Sequence, residues 1–526
     1  MPANLFEFRS SALRFIGGTA AAVAVMACAP AASAMSCERI AHLAFPGATV
    51  TAADAVAAGQ FSPPGGKVPF DTPAMRPGGD AQPDPNPAFC RITATLRPTA
   101  DSDIKVEVWL PETRWNGKFL AVGSFGWAGS IMYGGLLNGL QHGYAVASTD
   151  EGHDSASGGM GGSFVHGHPE KLIDYAYRAD HLMTLYAKRV IRVRYGKAPS
   201  KSYWIGCSLG GLEGLIEAQR YPTDFDGIVA GAPPNPIARF NAAQIWASWL
   251  VSRDPSRQIP AEKFTLLHDA ALRRCASPVG QQQGFIEEPD RCQFDPGELQ
   301  CKDADGADCL TAPQVFLMRQ MYGGPVDSVT GKSIYPGPAR GSELTLGMFA
   351  SAQPMSVALD MFRYVAFDNP GFTLADMDFG KTYEAAEAKI GPLMHVDTHL
   401  KPFFDHGGKL LLYIGWNDFH NPTELISYYQ WLGRDGGPLA AAGSRLFTLP
   451  GMNHCMGGEG CDTFDKLGAI DAWVSQGRAP QEMISSKYDR SGKLLRTRPI
   501  CAYPRVAQYK GNGDINDAAS FACVAA

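Results

Sequence analysis

Residues 202–214 read SYWIGCSLGGLEG. The apolar run Tyr203 to Ile205 meets glycines at 206, 210 and 211, and helical spacing follows. Gly206-Cys207-Ser208-Leu209-Gly210 fits the G-x-S-x-G pattern, a sharp turn from a buried strand into a helix with a serine at its apex. Small residues flank such a turn because its backbone is strained and the helix packs close to the strand. The apex hydroxyl stands out over the sheet, and the Leu209 N–H at the helix start points to where an oxyanion would develop. Ser208 is the candidate nucleophile and Leu209 the first oxyanion donor. The plainer alternative is a glycine-rich turn that only packs. A cysteine directly before the serine is the unusual feature.

A serine hydroxyl needs a base, and the base needs a carboxylate to orient its ring. On a strand–turn–helix scaffold the expected chain order is Ser, then Asp or Glu, then His, each partner in a loop after a strand. The stretch 408–418, GKLLLYIGWND, is an apolar strand ending in Asp418, and 445–455, RLFTLPGMNHC, is one ending in His454. Asp418 and His454 are the candidate acid and base. His420 lies two residues past the acid, and Asp405 and His406 precede the strand instead of following it. Cys455 follows the base as Cys207 precedes the nucleophile. A disulfide between them would tie the two turns together and hold hydroxyl and imidazole in reach.

Outward from the elbow, strands and helices alternate. CRITATLRP (90–98) and DIKVEVWLP (103–111) alternate apolar and polar residues, as in a hairpin at a sheet edge. Apolar strands are expected in 118–122, 144–149, 202–206 and 225–231, with helices in 174–195 and 212–221. Such alternation predicts an α/β fold whose mostly parallel sheet is covered on both faces. The rhythm breaks after Pro234: residues from about 235 to 390 carry four cysteines, many Gly and Pro and scattered short helices, so an inserted domain of roughly 150 residues is expected before the rhythm resumes near residue 407. Residues 62–87, rich in Pro, Gly and Asp, read as a long irregular segment.

The chain has 526 residues, of which 45% are apolar and 19% charged, with net charge −6 and no Lys/Arg run. That balance argues against a nucleic-acid partner or an anionic membrane surface. Arg9 and Arg14 precede an Ala-rich apolar run from Phe15 to Ala27, and Ala32-Ser33-Ala34 offers a cleavage site. Residues 1–34 thus read as an export signal, too short and too rich in Ala and Gly for a membrane span. Secreted or periplasmic placement is expected, with a lipoprotein anchored at Cys28 as the alternative. Beyond Cys28, eleven of the twelve cysteines remain. The close neighbours Cys275 and Cys292, Cys301 and Cys309, and Cys501 and Cys523 suggest local disulfides in an oxidising compartment. An odd count leaves one thiol over, assigned to Cys461.

The Cys-Ser pair at 207–208, Asp418 and the His-Cys pair at 454–455 resemble the CS-D-HC arrangement of the tannase and feruloyl esterase family, which includes a bacterial hydrolase of mono(2-hydroxyethyl) terephthalate. WNGKFLAVG (115–123), STDEGH (148–153), DYAYRADH (174–181), AQRYPTDFDGIVAGAP (218–233), TGKSIYPG (330–337) and PGMNHCMGGEG (450–460) resemble family segments in the same order. The resemblance implies an α/β-hydrolase core with a large inserted lid domain: core in 35–234 and 391–526, lid in 235–390. It implies the pairs Cys37–Cys90, Cys207–Cys455, Cys275–Cys292, Cys301–Cys309 and Cys501–Cys523. It also implies a second oxyanion donor in the loop GSFGWAG (123–129), assigned to the Gly126 N–H, although Phe125 stands where relatives tend to have glycine.

Relatives carry an Asp-rich calcium loop in the lid; here CASPVGQQQGFIEEP (275–289) has Ala276, Val279 and Gln283 at the three acidic positions. Ca²⁺ wants several oxygen ligands, anionic above all, so the site is expected to be lost, with neither metal nor cofactor needed. Asp303, Asp305 and Asp308 fit no calcium loop and read as a solvated turn. Phe362, Arg363, Tyr364, Phe367 and Phe372 form an aromatic stretch, either lid core or pocket wall, and the apolar Leu209 favours an aromatic or apolar acyl group. The resulting expectation is an exported serine carboxylesterase acting on small-molecule esters of aromatic acids, feruloyl or galloyl. The same triad acting on a terephthalate monoester or on simple aliphatic or aryl esters is the alternative. A non-catalytic binding module on this scaffold is the rival from another class. Oligomeric state does not follow from the sequence.

Overall fold

The computed structural model describes residues 35–66, 71–80, 85–154 and 161–526. The expected export signal and Cys28 lie outside the described residues. Nine strands form the main sheet: β1 (Ala48–Val56), β2 (Phe89–Leu96), β3 (Ile104–Pro111), β4 (Lys118–Val122), β5 (Ala145–Thr149), β6 (Lys201–Cys207), β7 (Gly227–Gly231), β8 (Lys409–Gly415) and β9 (Ser444–Leu449). Their order is β1-β2-β3-β5-β4-β6-β7-β8-β9. Pairing is antiparallel from β1 to β5 and parallel from β5 to β9. This is the α/β-hydrolase arrangement.

The parallel strands are buried on both faces, as their unbroken apolar runs require. A Cβ on Gly227 would meet Ile470 and Val474 of the helix Lys466–Gln476, while the next residue, Ile228, faces Gly214 of the helix Leu209–Arg220. Successive strand residues point to opposite faces, so these two helices cover opposite sides of the sheet.

Two features depart from the sequence expectation. The hairpin β2–β3 is not the sheet edge, because β1 pairs outside β2. That strand, ATVTAADAV, is exposed or half-buried at every position but Ala53 and poor in the large apolar residues that mark a strand. After β9, the chain adds two small ladders, β10 (Glu482–Tyr488) with β11 (Leu494–Cys501), and β12 (Arg505–Tyr509) with β13 (Phe521–Ala525).

The pairs Cys37–Cys90, Cys207–Cys455, Cys275–Cys292, Cys301–Cys309 and Cys501–Cys523 are all bonded. Cys461 is a buried free thiol whose pKa burial pushes up to about 12, which leaves little thiolate for exchange. Among the described residues no helix is long and apolar enough to cross a membrane.

Between β7 and β8 the chain contributes no strand to the sheet. It builds a mostly helical layer over the carboxyl ends of the parallel strands, including the helices Ile237–Arg253, Ala261–Cys275, Ala312–Gly323 and Lys381–Met394. Its own core includes stacked Trp246 and Trp249, with the Phe379 ring edge-on to both. One side chain closes the stem of this excursion. Asn235 donates from Nδ2 to the Val396 carbonyl at 2.8 Å and accepts the Val396 N–H at 3.0 Å, both buried.

Removing that side chain orphans a donor and an acceptor in the interior, each costing about 1–3 kcal/mol. Asn235→Ala should therefore lower the unfolding free energy by about 2–6 kcal/mol, read as a lower urea midpoint at unchanged slope.

Candidate active site

β6 ends at Cys207, and Ser208 takes φ 63° and ψ −128° before the helix Leu209–Arg220 begins. A non-glycine residue holds this conformation only when its surroundings over-determine it. Here they do. The Ser208 N–H donates to the Gly231 carbonyl at 2.9 Å. A Cβ on Gly206 would fall 2.2 Å from the Gly210 oxygen, and one on Gly210 2.6 Å from the Ser124 oxygen. Only glycines allow strand, helix and the 123–129 loop to meet this closely. The Leu209 N–H belongs to the first helical turn, where no intrahelical acceptor exists. Leu209 borders a cavity of about 120 Å³ lined by Ser208, Gly126, Trp127, His420 and His454 among others.

Asp418 follows β8 and is fully buried; both its oxygens lie 3.0 Å from His454 Nδ1. Burial alone would raise this carboxyl. The His454 ring and the His420 N–H outweigh burial and hold it below the usual carboxylate range. An ionised Asp418 fixes the His454 proton on Nδ1 and leaves Nε2 to accept one. Ser208, Asp418 and His454 are thus brought together: the first and last share one cavity, and the middle one orients the imidazole.

Cys455 sits at φ 60°, directly after His454. Its bond to Cys207 spans a separation of 248 residues with Cα atoms 6.0 Å apart. Closing so long a loop stabilises by about 5 kcal/mol in the chain-entropy account. Its Sγ lies 3.7 Å from His454 Nε2, so the linkage touches the imidazole it positions.

The 123–129 loop is held by a residue that sequence reasoning missed. Glu213, buried on the nucleophile helix, accepts the Ser124 N–H at 2.9 Å and the Ser124 hydroxyl at 2.5 Å. Tyr175 donates to the Gly126 carbonyl at 2.8 Å and stacks on Trp127. Glu151 and Asp180 complete a buried acidic group with Glu213, with oxygens within 4.8 Å of one another. Burial, then mutual repulsion, raises Glu151 and Asp180 well above the carboxylate range, and burial pushes Glu213 and Asp150 up to about 7. The carboxylates within the family-like segments STDEGH and DYAYRADH were the available signal.

The aromatic stretch is largely lid core. Phe362 is fully buried, Phe367 stacks on Phe372, and Arg363 pairs with Asp360; Met361 is the residue of this stretch that lines the cavity. In the 275–289 loop, Gln283 spends its amide on the Ile515 carbonyl and the Arg498 guanidinium, and Val279 is half-buried. Asp303, Asp305 and Asp308 are all exposed, in keeping with a solvated turn, and Asp305 also reaches Lys263 Nζ at 2.6 Å and neutralises that buried ammonium.

A family model described as "Tannase and feruloyl esterase" matches residues 90–524. An uncharacterized esterase of Xanthomonas campestris pv. campestris is 34% identical, covering 98% of this chain and 96% of its own. The mono(2-hydroxyethyl) terephthalate hydrolase of Piscinibacter sakaiensis is 31% identical over 84% of this chain and 85% of its own. The crystal structure of feruloyl esterase B from Aspergillus oryzae superposes with a TM-score of 0.82 at 28% identity, covering 93% of this chain and 99% of that one.

Two outcomes follow from the geometry. The raised Glu213 and Asp150 carboxyls favour folding below the ordinary range, and that stability is lost as pH rises through about 7. The thermal midpoint should therefore fall between pH 5 and 8, and Glu213→Gln should flatten the fall in a pH series of melting curves. Replacing Cys207 and Cys455 together by alanine should lower the melting midpoint and reduce kcat by on the order of 100-fold, through loss of alignment.

Proposed function

This chain belongs to the tannase and feruloyl esterase family and is a carboxylic ester hydrolase, and from that premise we propose a serine-esterase reaction at the cavity between core and lid. Ser208 Oγ attacks the ester carbonyl while His454 Nε2 takes its proton. The Leu209 and Gly126 N–H groups stabilise the oxyanion. His454 returns the proton to the leaving alcohol, and water then releases the acid from the acyl-enzyme. Asp418 keeps the imidazole oriented throughout. The reaction as written uses no metal or cofactor. The observation that carries it is one cavity holding Ser208 and His454, with Asp418 bonded to the far side of that imidazole.

The substrates we propose are small esters of aromatic acids. Trp127, Tyr175, Phe240 and Phe419 supply ring faces to the cavity, and Leu209, Ile237 and Met361 supply apolar contact. A feruloyl esterase among the structural relatives supports a hydroxycinnamoyl group. The terephthalate monoester hydrolase at 31% identity supports the second reading, a terephthaloyl group. Five disulfides suit an oxidising compartment, and we propose that the protein is exported.

Initial rates on methyl ferulate, methyl gallate and a terephthalate monoester, side by side, test this reading. Turnover of at least one is expected, falling by roughly 10⁴-fold or more in Ser208→Ala. Turnover that survives Ser208→Ala, or none on any ester, overturns it.

A further inference from the structure

Away from the catalytic cavity, three ligating side chains converge at the far end of the nucleophile helix. His181 stands on the helix Ala179–Tyr195, Glu217 on the helix Leu209–Arg220, and Asp224 in the turn that leads into β7. One ligand atom from each lies within 4.8 Å of the other two. The backbone sets this turn: the Tyr221 N–H donates to the Glu217 carbonyl and the Asp224 N–H to the Tyr221 carbonyl, both at 2.9 Å. The His181 ring stacks on Tyr221 with centroids 3.6 Å apart, and its Nδ1 lies 2.7 Å from Asp224 Oδ2. Glu217 is 1% exposed, and neither of its carboxylate oxygens has a hydrogen-bond partner among the described residues. The Lys188 ammonium donates to the Asp224 carbonyl and lies 3.9 Å from Asp224 Oδ1. It leaves both Glu217 oxygens unbonded.

An ionised carboxylate without a donor is costly in a protein interior. Burial, then Asp180 and Asp224, raises Glu217 well above the ordinary carboxylate range. A proton would neutralise Glu217 alone. A cation would also use the imidazole and the second carboxylate that converge on it. One imidazole and two carboxylates form a mixed nitrogen and oxygen set, which suits Zn²⁺ and its first-row neighbours, whereas Ca²⁺ and Mg²⁺ want more oxygens than the cluster holds. Bonds of about 2.1 Å in a tetrahedron place ligand atoms about 3.4 Å apart, so closing on an ion takes side-chain shifts of about 1 Å. Asp224 also borders an open groove of about 570 Å³, and His181 is partly exposed, which gives an ion a path in. We infer that His181, Glu217 and Asp224 bind a divalent first-row transition metal, Zn²⁺ foremost, with water completing the shell. The ion ties two helices to the turn before β7. About 12 Å of helix separates Glu217 from Leu209, so it steadies the nucleophile helix from behind and touches no reacting atom. The inference does not depend on which ester the enzyme cleaves.

Calorimetric titration of Zn²⁺ into the intact protein, dialysed first against a chelator and then against chelator-free buffer, tests it. One equivalent should bind, and saturating Zn²⁺ should raise the melting midpoint by a few degrees. Glu217→Gln keeps the side chain's shape and removes the anionic ligand. It should weaken binding by on the order of 100-fold or more, beyond what loss of an outer partner costs. Without metal it should melt no lower than the intact protein, because an unpaired buried charge is gone. His181→Phe keeps a ring on Tyr221 without a ligating nitrogen and should lose the ion likewise. Asp418, His420 and His454 also bring ligand atoms together, so the triad is the competing site. Zn²⁺ held there would block hydrolysis of a short-chain 4-nitrophenyl ester, whereas one equivalent at His181 should leave that rate unchanged. His454→Ala should still bind the full equivalent; its loss there places the ion at the triad and overturns the inference, whether or not the other variants fold. Absence of binding in the intact protein overturns it too, as does binding that Glu217→Gln and His181→Phe leave unchanged.

Discussion

Ser208 and Cys455 both stand at positive φ, 63° and 60°, and the bond between Cys207 and Cys455 holds these two turns face to face. Everything at the site depends on that constraint. The elbow comes from β6 and the histidine loop from the far end of the sheet, beyond β9, with the whole lid between them in the chain. Parallel pairing sets the strands, but loops after strands can drift by more than a proton transfer tolerates. A covalent link one residue from each reacting group removes most of that freedom. This is the answer to the odd cysteine in SYWIGCSLGGLEG.

The second constraint is electrostatic. Glu213 is buried behind the nucleophile, on the same helix, and grips the loop that carries Gly126 through two hydrogen bonds to Ser124. With Glu151 and Asp180 beside it, the group shares protons where water is excluded. Burying carboxyls is unfavourable unless they are satisfied by donors or by each other. The structure accepts that cost behind the loop whose Gly126 lines the cavity. Stability at high pH is exchanged for a fixed loop.

Much of this was legible in the residues. The elbow, the strands ending in Asp418 and His454, and the joining of Cys207 to Cys455 follow from local pattern, because each is a strand run followed by a specific turn. Three things were not legible. β1 is an exposed edge of Ala, Thr and Asp, whose pairing is decided by its neighbour and not by its own propensity. Glu213 reads in sequence as one polar residue of an amphipathic helix, and only packing reveals that it points inward. His420 could be set aside as a rival base from its spacing, yet the Ala232 carbonyl and the His454 ring give it a tautomer and a place that no spacing encodes. The aromatic stretch 358–372 shows the converse: a conspicuous pattern whose rings mostly pack against the lid itself.

Asn235 and Val396 exchange two buried hydrogen bonds and so close the base of everything between them. In evolutionary terms this makes the lid a cassette. Residues inside the clasp can lengthen, shorten or trade composition and reshape the cavity roof, while β7 and β8 keep their register and the elbow keeps its strain. A chimera that exchanges lids between distant esterases has its natural seams at these two residues, where the cut ends already hold each other.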